Sequence, residues 1–206
     1  MDTQNARDEI LGAIKAGKPE ALPLPDVPMY PFEGEPVESF ITKLVGFDGR
    51  AIKFKTREDA IAWLNSQEEM NKNNKIIYSS ANGVEGNFSE KDLQKLQDAH
   101  KIQTCVTEGV LGVGETGSIW VTDQSLNHAA CALLAHRLFI FLDSQKIEGG
   151  LHQTYAKLKL NDTQYGSFFS GPSATADIEA VRITGAQGPL ALTALIYNCK
   201  DAPEKP

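Results

Sequence analysis

Three stretches of the chain hold residue types and spacings that could do chemistry, and all three lie in the C-terminal half. Gly112-Val113-Gly114-Glu115-Thr116-Gly117 satisfies the G-x-G-x-x-G pattern of dinucleotide-binding turns and follows a predicted strand. That fingerprint works because its last glycine opens a helix whose N-terminus holds a pyrophosphate. Here Ser118-Ile119-Trp120-Val121-Thr122 follows at once with strand chemistry, so the pattern argues against NAD or FAD. Two readings remain. The segment is a glycine-rich hairpin turn, or a loop whose Gly114 and Gly117 let backbone approach a ligand while Glu115 and Thr116 stand at its tip.

The second stretch is Gly171-Pro172-Ser173-Ala174-Thr175-Ala176-Asp177-Ile178-Glu179. Its backbone N–H groups, with the Ser173 and Thr175 hydroxyls, suit an anion-binding concavity at the start of a helix. Equally, Ser173 or Thr175 caps that helix, with Asp177 and Glu179 complementing the dipole in its first turn. The third stretch, Gly185-Ala186-Gln187-Gly188-Pro189, reads as a tight loop before the last strand. Small-residue loops near strand ends of an α/β protein are expected to converge on a crevice. Gly114, Thr116, Gly117, Gly171, Ser173, Thr175, Asp177, Gly185, Gln187 and Gly188 are therefore candidate ligand-binding residues. Glu115, the one acid on the glycine loop beside hydroxyls, is the candidate nucleophile or general base.

The elements that must position these loops read as follows. Ile10, Leu11 and Ile14 share one side of a helix, and six of the ten prolines then fall between Pro19 and Pro36. This extended connector is expected to lie across the surface, with its helix docking on the body or on a partner. Val37, Phe40, Ile41, Leu44 and Val45 have helical spacing, ended by Phe47-Asp48-Gly49. Ala51–Phe54 is a predicted strand, and Thr56 with Asp59 makes a capping box for a helix carrying Ala60, Ile61 and Leu64. Lys75–Ser79 and Ile102–Thr107 are further strands, with a helix between them capped by Ser89 and Asp92 and running through Leu93 and Leu96. Then come strands at 138–142, 167–170 and 192–197 and a helix at 151–158. This alternation predicts an α/β fold, a three-layer Rossmann-like arrangement of a largely parallel sheet flanked by helices.

The order and spacing of Glu115-Thr116-Gly117-Ser118, of G-P-S-x-T-A-D-I-E at 171–179 and of G-x-x-G-P at 185–189 resemble the LUD-domain family, of the lactate-utilisation protein C type. The resemblance covers roughly Val37 to Cys199 and implies a sugar-isomerase/CoA-transferase-like fold. It also implies a role in L-lactate utilisation, beside partner subunits that carry iron–sulfur clusters. The family usually has an arginine in the serine-threonine turn and a histidine in the next loop, where this chain has Ala174 and Gln187. If that arginine binds an anion, its loss removes a charge-assisted contact of roughly 1.5–3 kcal/mol.

Composition narrows the field. The 206 residues hold 41% hydrophobic and 23% charged side chains, a globular balance. The division expected is an N-terminal helix and connector over 1–36, one LUD-like α/β domain over 37–200, and a tail over 201–206. Twenty basic against 27 acidic residues give a net charge of −7 with no basic cluster, which argues against nucleic acid. Cys105, Cys131 and Cys199 are odd in number and widely spaced, so no disulfide framework, cluster or zinc site is expected, and His100, His128, His136 and His152 have no metal-ligand spacing. No metal and no bound cofactor are expected. The opening Met1 to Arg7 lacks a signal-type apolar stretch, and Ala129–Leu142 is broken by His136 and Arg137. A cytoplasmic protein without a membrane span is the expectation. The resemblance implies an accessory, ligand-binding component of lactate oxidation, and the alternative from its related folds is a free-standing CoA-transferase- or isomerase-like enzyme acting on a small anionic or acyl substrate.

Overall fold

The computed structural model describes residues 3–20, 22–23, 25–177 and 179–198. Cys199 and the tail at 201–206 lie outside them. The first helix, α1 (Thr3–Ala16), leaves Ile10 and Ile14 60% and 54% exposed. The proline-rich connector after it docks at its far end. Tyr30 O accepts from Gln153 Nε2 at 2.8 Å, and the Phe32 ring occupies the space that a side chain at residue 149 would need.

The second helix, α2 (Pro36–Gly46), opens on a proline whose fixed φ suits a first helical turn. It buries Phe40 and Leu44 completely, worth about 1.5–3 kcal/mol for each side chain. It ends as expected at Phe47 and Asp48, where φ turns positive at Asp48 and Gly49 N donates back to Leu44 O. After β1 (Arg50–Lys53), the capping box opens α3 (Arg57–Asn65), with Asp59 N donating to Thr56 Oγ1 and Thr56 N to Asp59 Oδ2.

Next come β2 (Ile77–Ser79) and β3 (Thr104–Glu108). The helix expected between them does not form. Ser89 and Asp92 do cap each other, but Leu93 turns to extended backbone and Lys95 N donates to a second cap, Asp98 Oδ2. Two caps in quick succession split the segment into separate 3-10 turns, Glu90–Asp92 and Leu96–Lys101.

Strands β4 (Leu111–Val113) and β5 (Ser118–Thr122) form the antiparallel hairpin expected of the glycine loop. Short helices α4 (Asp123–Leu126) and α5 (Ala129–Leu133) lead to β6 (Arg137–Asp143), and within 129–142 Cys131, Ala132, Ala135 and Leu138–Leu142 are buried core. The chain continues through β7 (Ile147–Glu148), α6 (Leu151–Lys157), β8 (Gly166–Phe169), β9 (Ala174–Thr175), β10 (Ile183–Thr184) and β11 (Ala191–Tyr197).

The main sheet has five parallel strands in the order β1-β11-β6-β3-β2. Its central strands are continuous apolar runs, Leu138–Leu142 and Ala194–Ile196, as strands covered on both faces require. The connection through α3 carries the chain from one edge to the other, and β2, β3, β6 and β11 step back. Ala60 and Leu64 of α3, with Met70, cover one face and pack in one cluster with Phe141 of β6. On the other face, α2, α4 and α5 share the cover with Ile119, Val121 and Ile147 of a second sheet, ordered β7-β4-β5-β8. No helix among the described residues is long and apolar enough to cross a membrane.

Candidate functional site

In an open parallel α/β sheet, ligands bind in the crevice beyond the carboxyl ends of the strands. Here those ends are Lys53, Ser79, Glu108, Asp143 and Tyr197. A cleft of about 420 Å³ opens there between the strand ends and the start of α2. Lys53, Phe54 and Lys55 contribute from β1, Ser144 from just after β6, and Tyr197 and Asn198 from β11. Lys53 Nζ donates to Glu38 Oε1 at 2.7 Å, whereas Lys55 makes no ion pair among the described residues. Asn198 Oδ1 accepts from Gln145 Nε2 at 2.9 Å. Buried Asp143 accepts from Gln145 N at 3.0 Å, which fixes the turn that carries Ser144.

Beside the cleft, Arg57 binds Glu108 through Nη2 and also donates from Nη2 to Asn82 O at 2.7 Å. Asn82 N donates to the same Glu108 oxygen at 3.1 Å. The guanidinium carbon lies 4.7 and 5.7 Å from the ring centres of Phe141 and Tyr197. Arg57 Nη1 and Ser79 Oγ are sealed from solvent without a hydrogen-bond partner among the described residues. The ring faces give the guanidinium a cation–π partner. For Ser79 the described residues offer no partner.

The residues chosen from sequence fall elsewhere. Glu115 Oε2 accepts from Leu151 N at 2.9 Å, so the carboxylate sits at the first turn of α6. It also lines a cavity of about 400 Å³ with Tyr30, Phe32, Gly150, His152 and Gln153. Gly114 packs against Pro36, and a Cβ on Gly117 would lie 2.3 Å from Leu44 N. Thr116 Oγ1 is 2.5 Å from Ser118 Oγ. Ser170 Oγ donates to the carbonyls of Thr116 and Gly117, bringing the second stretch alongside the first.

No helix follows Gly171-Pro172, contrary to the expectation. Ala174 and Thr175 pair instead with Thr184 and Ile183 in a small hairpin, because Ser173 N donates to Pro189 O and Gly185 N to Ser173 O. Thr175 Oγ1 accepts from Asp177 N at 3.3 Å. Glu179 and Ala180 sit at left-handed φ in the turn. Gly188 faces the Ser173 side chain, and Gly185 faces Leu190. Gln187 lies on the same loop, which precedes β11. The structure thus brings the Ser173–Asp177 and Gly185–Gly188 segments together at the amino end of the main sheet. The Glu115 carboxylate is turned toward α6.

Lys55, Arg57, Asn82, Glu108, Ser144 and Asn198 were not picked out by motif. Their signal was positional, since each lies at or just past the end of a predicted strand, where a parallel sheet presents its crevice.

The parallel sheet, its helical layers and its carboxyl-end cleft define an α/β protein with a central parallel sheet flanked by helices. The LUD domain model matches residues 2–197, and the chain belongs to the LUD domain family, which is associated with lactate utilisation. It is similar to the crystal structure of a DUF162 family protein from Deinococcus radiodurans, with a TM-score of 0.59 and 11% sequence identity, covering 80% of this chain and 97% of that one. At that identity the likeness shows the fold alone. No curated protein matches the chain.

Proposed function

We propose that the chain is a cofactor-free accessory component of an L-lactate oxidation system, binding a small carboxylate and working with iron–sulfur partner subunits in the cytoplasm. The observation that carries this reading is the cleft at the carboxyl ends of β1, β6 and β11. Lys55 supplies an ammonium there without an ion pair among the described residues, and Ser144 and Asn198 supply groups for a neighbouring hydroxyl. Its volume is within the range of small-ligand sites. Residues 1–36 would be the part offered to the partner subunits, since the apolar side of α1 is exposed.

The test is affinity purification from the native cell, with titration of the isolated chain by L-lactate followed by NMR. Iron–sulfur subunits should co-purify, and Lys55→Gln should weaken lactate binding about tenfold through a lost charge-assisted contact. Absence of any lactate-dependent shift would end the reading.

One observation favours the enzyme alternative, a CoA-transferase- or isomerase-like activity: Glu115 shares its cavity with His152. Against it stands the commitment of the carboxylate to the N–H of Leu151. Turnover by the isolated chain, abolished in Glu115→Gln, would establish it.

A further inference from the structure

The largest of the three clefts described is on the second sheet, beside the strands that flank the Gly112–Gly117 loop but lined by none of the candidate residues. It encloses about 680 Å³ between β4, β5 and the segment that follows α6. Lys146, Lys157 and Lys159 line it, with Asp162 as the one acid. Lys157 is paired with Glu148 at 2.5 Å, but Lys146 and Lys159 make no ion pair among the described residues. In a chain of net charge −7 this is a local excess of positive charge.

The rest of the lining mixes the polar Thr122, Gln124 and Thr163 with an apolar side built around Trp120. Trp120 is 8% exposed, with its ring 4.8 Å from that of Phe168 and its edge against Gly166, where a Cβ would lie 2.1 Å from Cζ2. The indole N–H has no hydrogen-bond partner among the described residues, yet it is not among the sealed atoms. A buried tryptophan normally places that donor on a partner. Val110, Leu111 and Leu158 complete an apolar wall.

Lysine ammonium groups act as point charges suited to phosphoryl oxygens. The apolar wall and the indole donor suit a planar heterocycle, and Asp162 can accept from sugar hydroxyls. We propose that this cleft binds a nucleoside di- or triphosphate, with its phosphates among the three lysines and its base against the Trp120 wall. The site is separate from the carboxyl-end cleft and does not depend on the function proposed for it.

The test is to titrate the full chain with ADP, adenosine and pyrophosphate by calorimetry. Trp120 emission is followed in a Trp63→Phe background, where it is the remaining tryptophan. ADP should give saturable binding and a change in emission, and adenosine and pyrophosphate should each bind at least about tenfold more weakly. The double variant Lys146→Gln/Lys159→Gln alters exposed side chains and should keep the native circular dichroism while losing at least about tenfold in ADP affinity. The proposal is overturned by an absence of saturable ADP binding, by unchanged affinity in a folded double variant, or by pyrophosphate matching ADP. Loss of ADP binding in Lys55→Gln would also overturn it, by moving the ligand to the other cleft.

Discussion

Glu115 accepts a hydrogen bond from the backbone N–H of Leu151, 36 positions further along the chain. The N-cap position of helix α6 is Gly150, which has no side chain to cap the helix. The hairpin loop therefore supplies a carboxylate where the exposed N–H groups and the positive end of the dipole favour one. Glu115→Ala should cost about 1 kcal/mol, as for a lost N-cap. Glu115→Gln keeps an acceptor and should cost less. Urea denaturation of the two variants checks this order, and equal losses would show that charge, not the hydrogen bond, does the capping.

Arg57 and Glu108 join the start of α3 to the end of β3 through a pair whose side chains are only 20% and 29% exposed. Glu108→Gln should destabilise the fold by about 1–3 kcal/mol, because Arg57 then keeps its charge at a largely dry site without its counter-ion. Arg57→Lys should lose comparable stability, since an ammonium cannot reproduce both the contact to Asn82 O and the stacking on Phe141 and Tyr197. Thermal melts of the two variants measure both losses.

The Asp92 carboxyl is held below the ordinary carboxylate range, first by the backbone N–H of Ser89 and then by its hydroxyl. A folded-state pKa below the unfolded one gives stability that is complete above the unfolded value, about 3.9 for aspartate, and lost as pH falls through the lower folded value. The Ser89 turn should therefore open in acid before the buried strands do. An NMR titration should show the Ser89 amide resonance moving toward its unfolded position at a pH below about 3.9. A transition above that pH would contradict the assignment.

Most of the scaffold is legible in the sequence because its signals are local and periodic. Val37, Phe40, Ile41 and Leu44 repeat at helical spacing, Thr56 and Asp59 cap each other, and Leu138–Leu142 is long and apolar enough to be a covered strand. Two segments were not legible. Ser89–Lys101 carries two caps, and because both form the segment splits into two short turns; the 171–189 segment has the small residues of a helix start but is held as a hairpin by the bond from Ser173 N to Pro189 O. The glycine motifs are ambiguous for a related reason. Sequence shows that backbone must come close to something at Gly117 and Gly171, but not that the neighbour is α2 rather than a ligand. Lys55 and Arg57 have no motif at all, and their setting depends on strand order, which is set by contacts between distant parts of the chain.

Gly117 and Gly171 seat the two loops against the end of α2, and this contact forms a seam. Gly117 has φ +63 and Gly171 has φ +71, a region that side chains rarely adopt. A Cβ at residue 117 would lie 2.3 Å from the backbone nitrogen of Leu44, and one at residue 171 would lie 2.2 Å from the carbonyl oxygen of Phe47. Neither neighbour can swing aside as a flexible side chain could, because both belong to the last turn of α2 and its cap, and Leu44 is fully buried. Gly117→Ala and Gly171→Ala should therefore each cost about 2–4 kcal/mol, combining a left-handed backbone with overpacking. Gly46 has nothing within 4 Å of its Cβ position and lies in the last turn of the same helix. Gly46→Ala should be neutral or stabilising by up to about 1 kcal/mol. Chemical denaturation of the three variants separates packing from ligand approach. If Gly117→Ala or Gly171→Ala folds with native stability but loses lactate binding, the glycines serve a ligand and the α2 seam does not explain them.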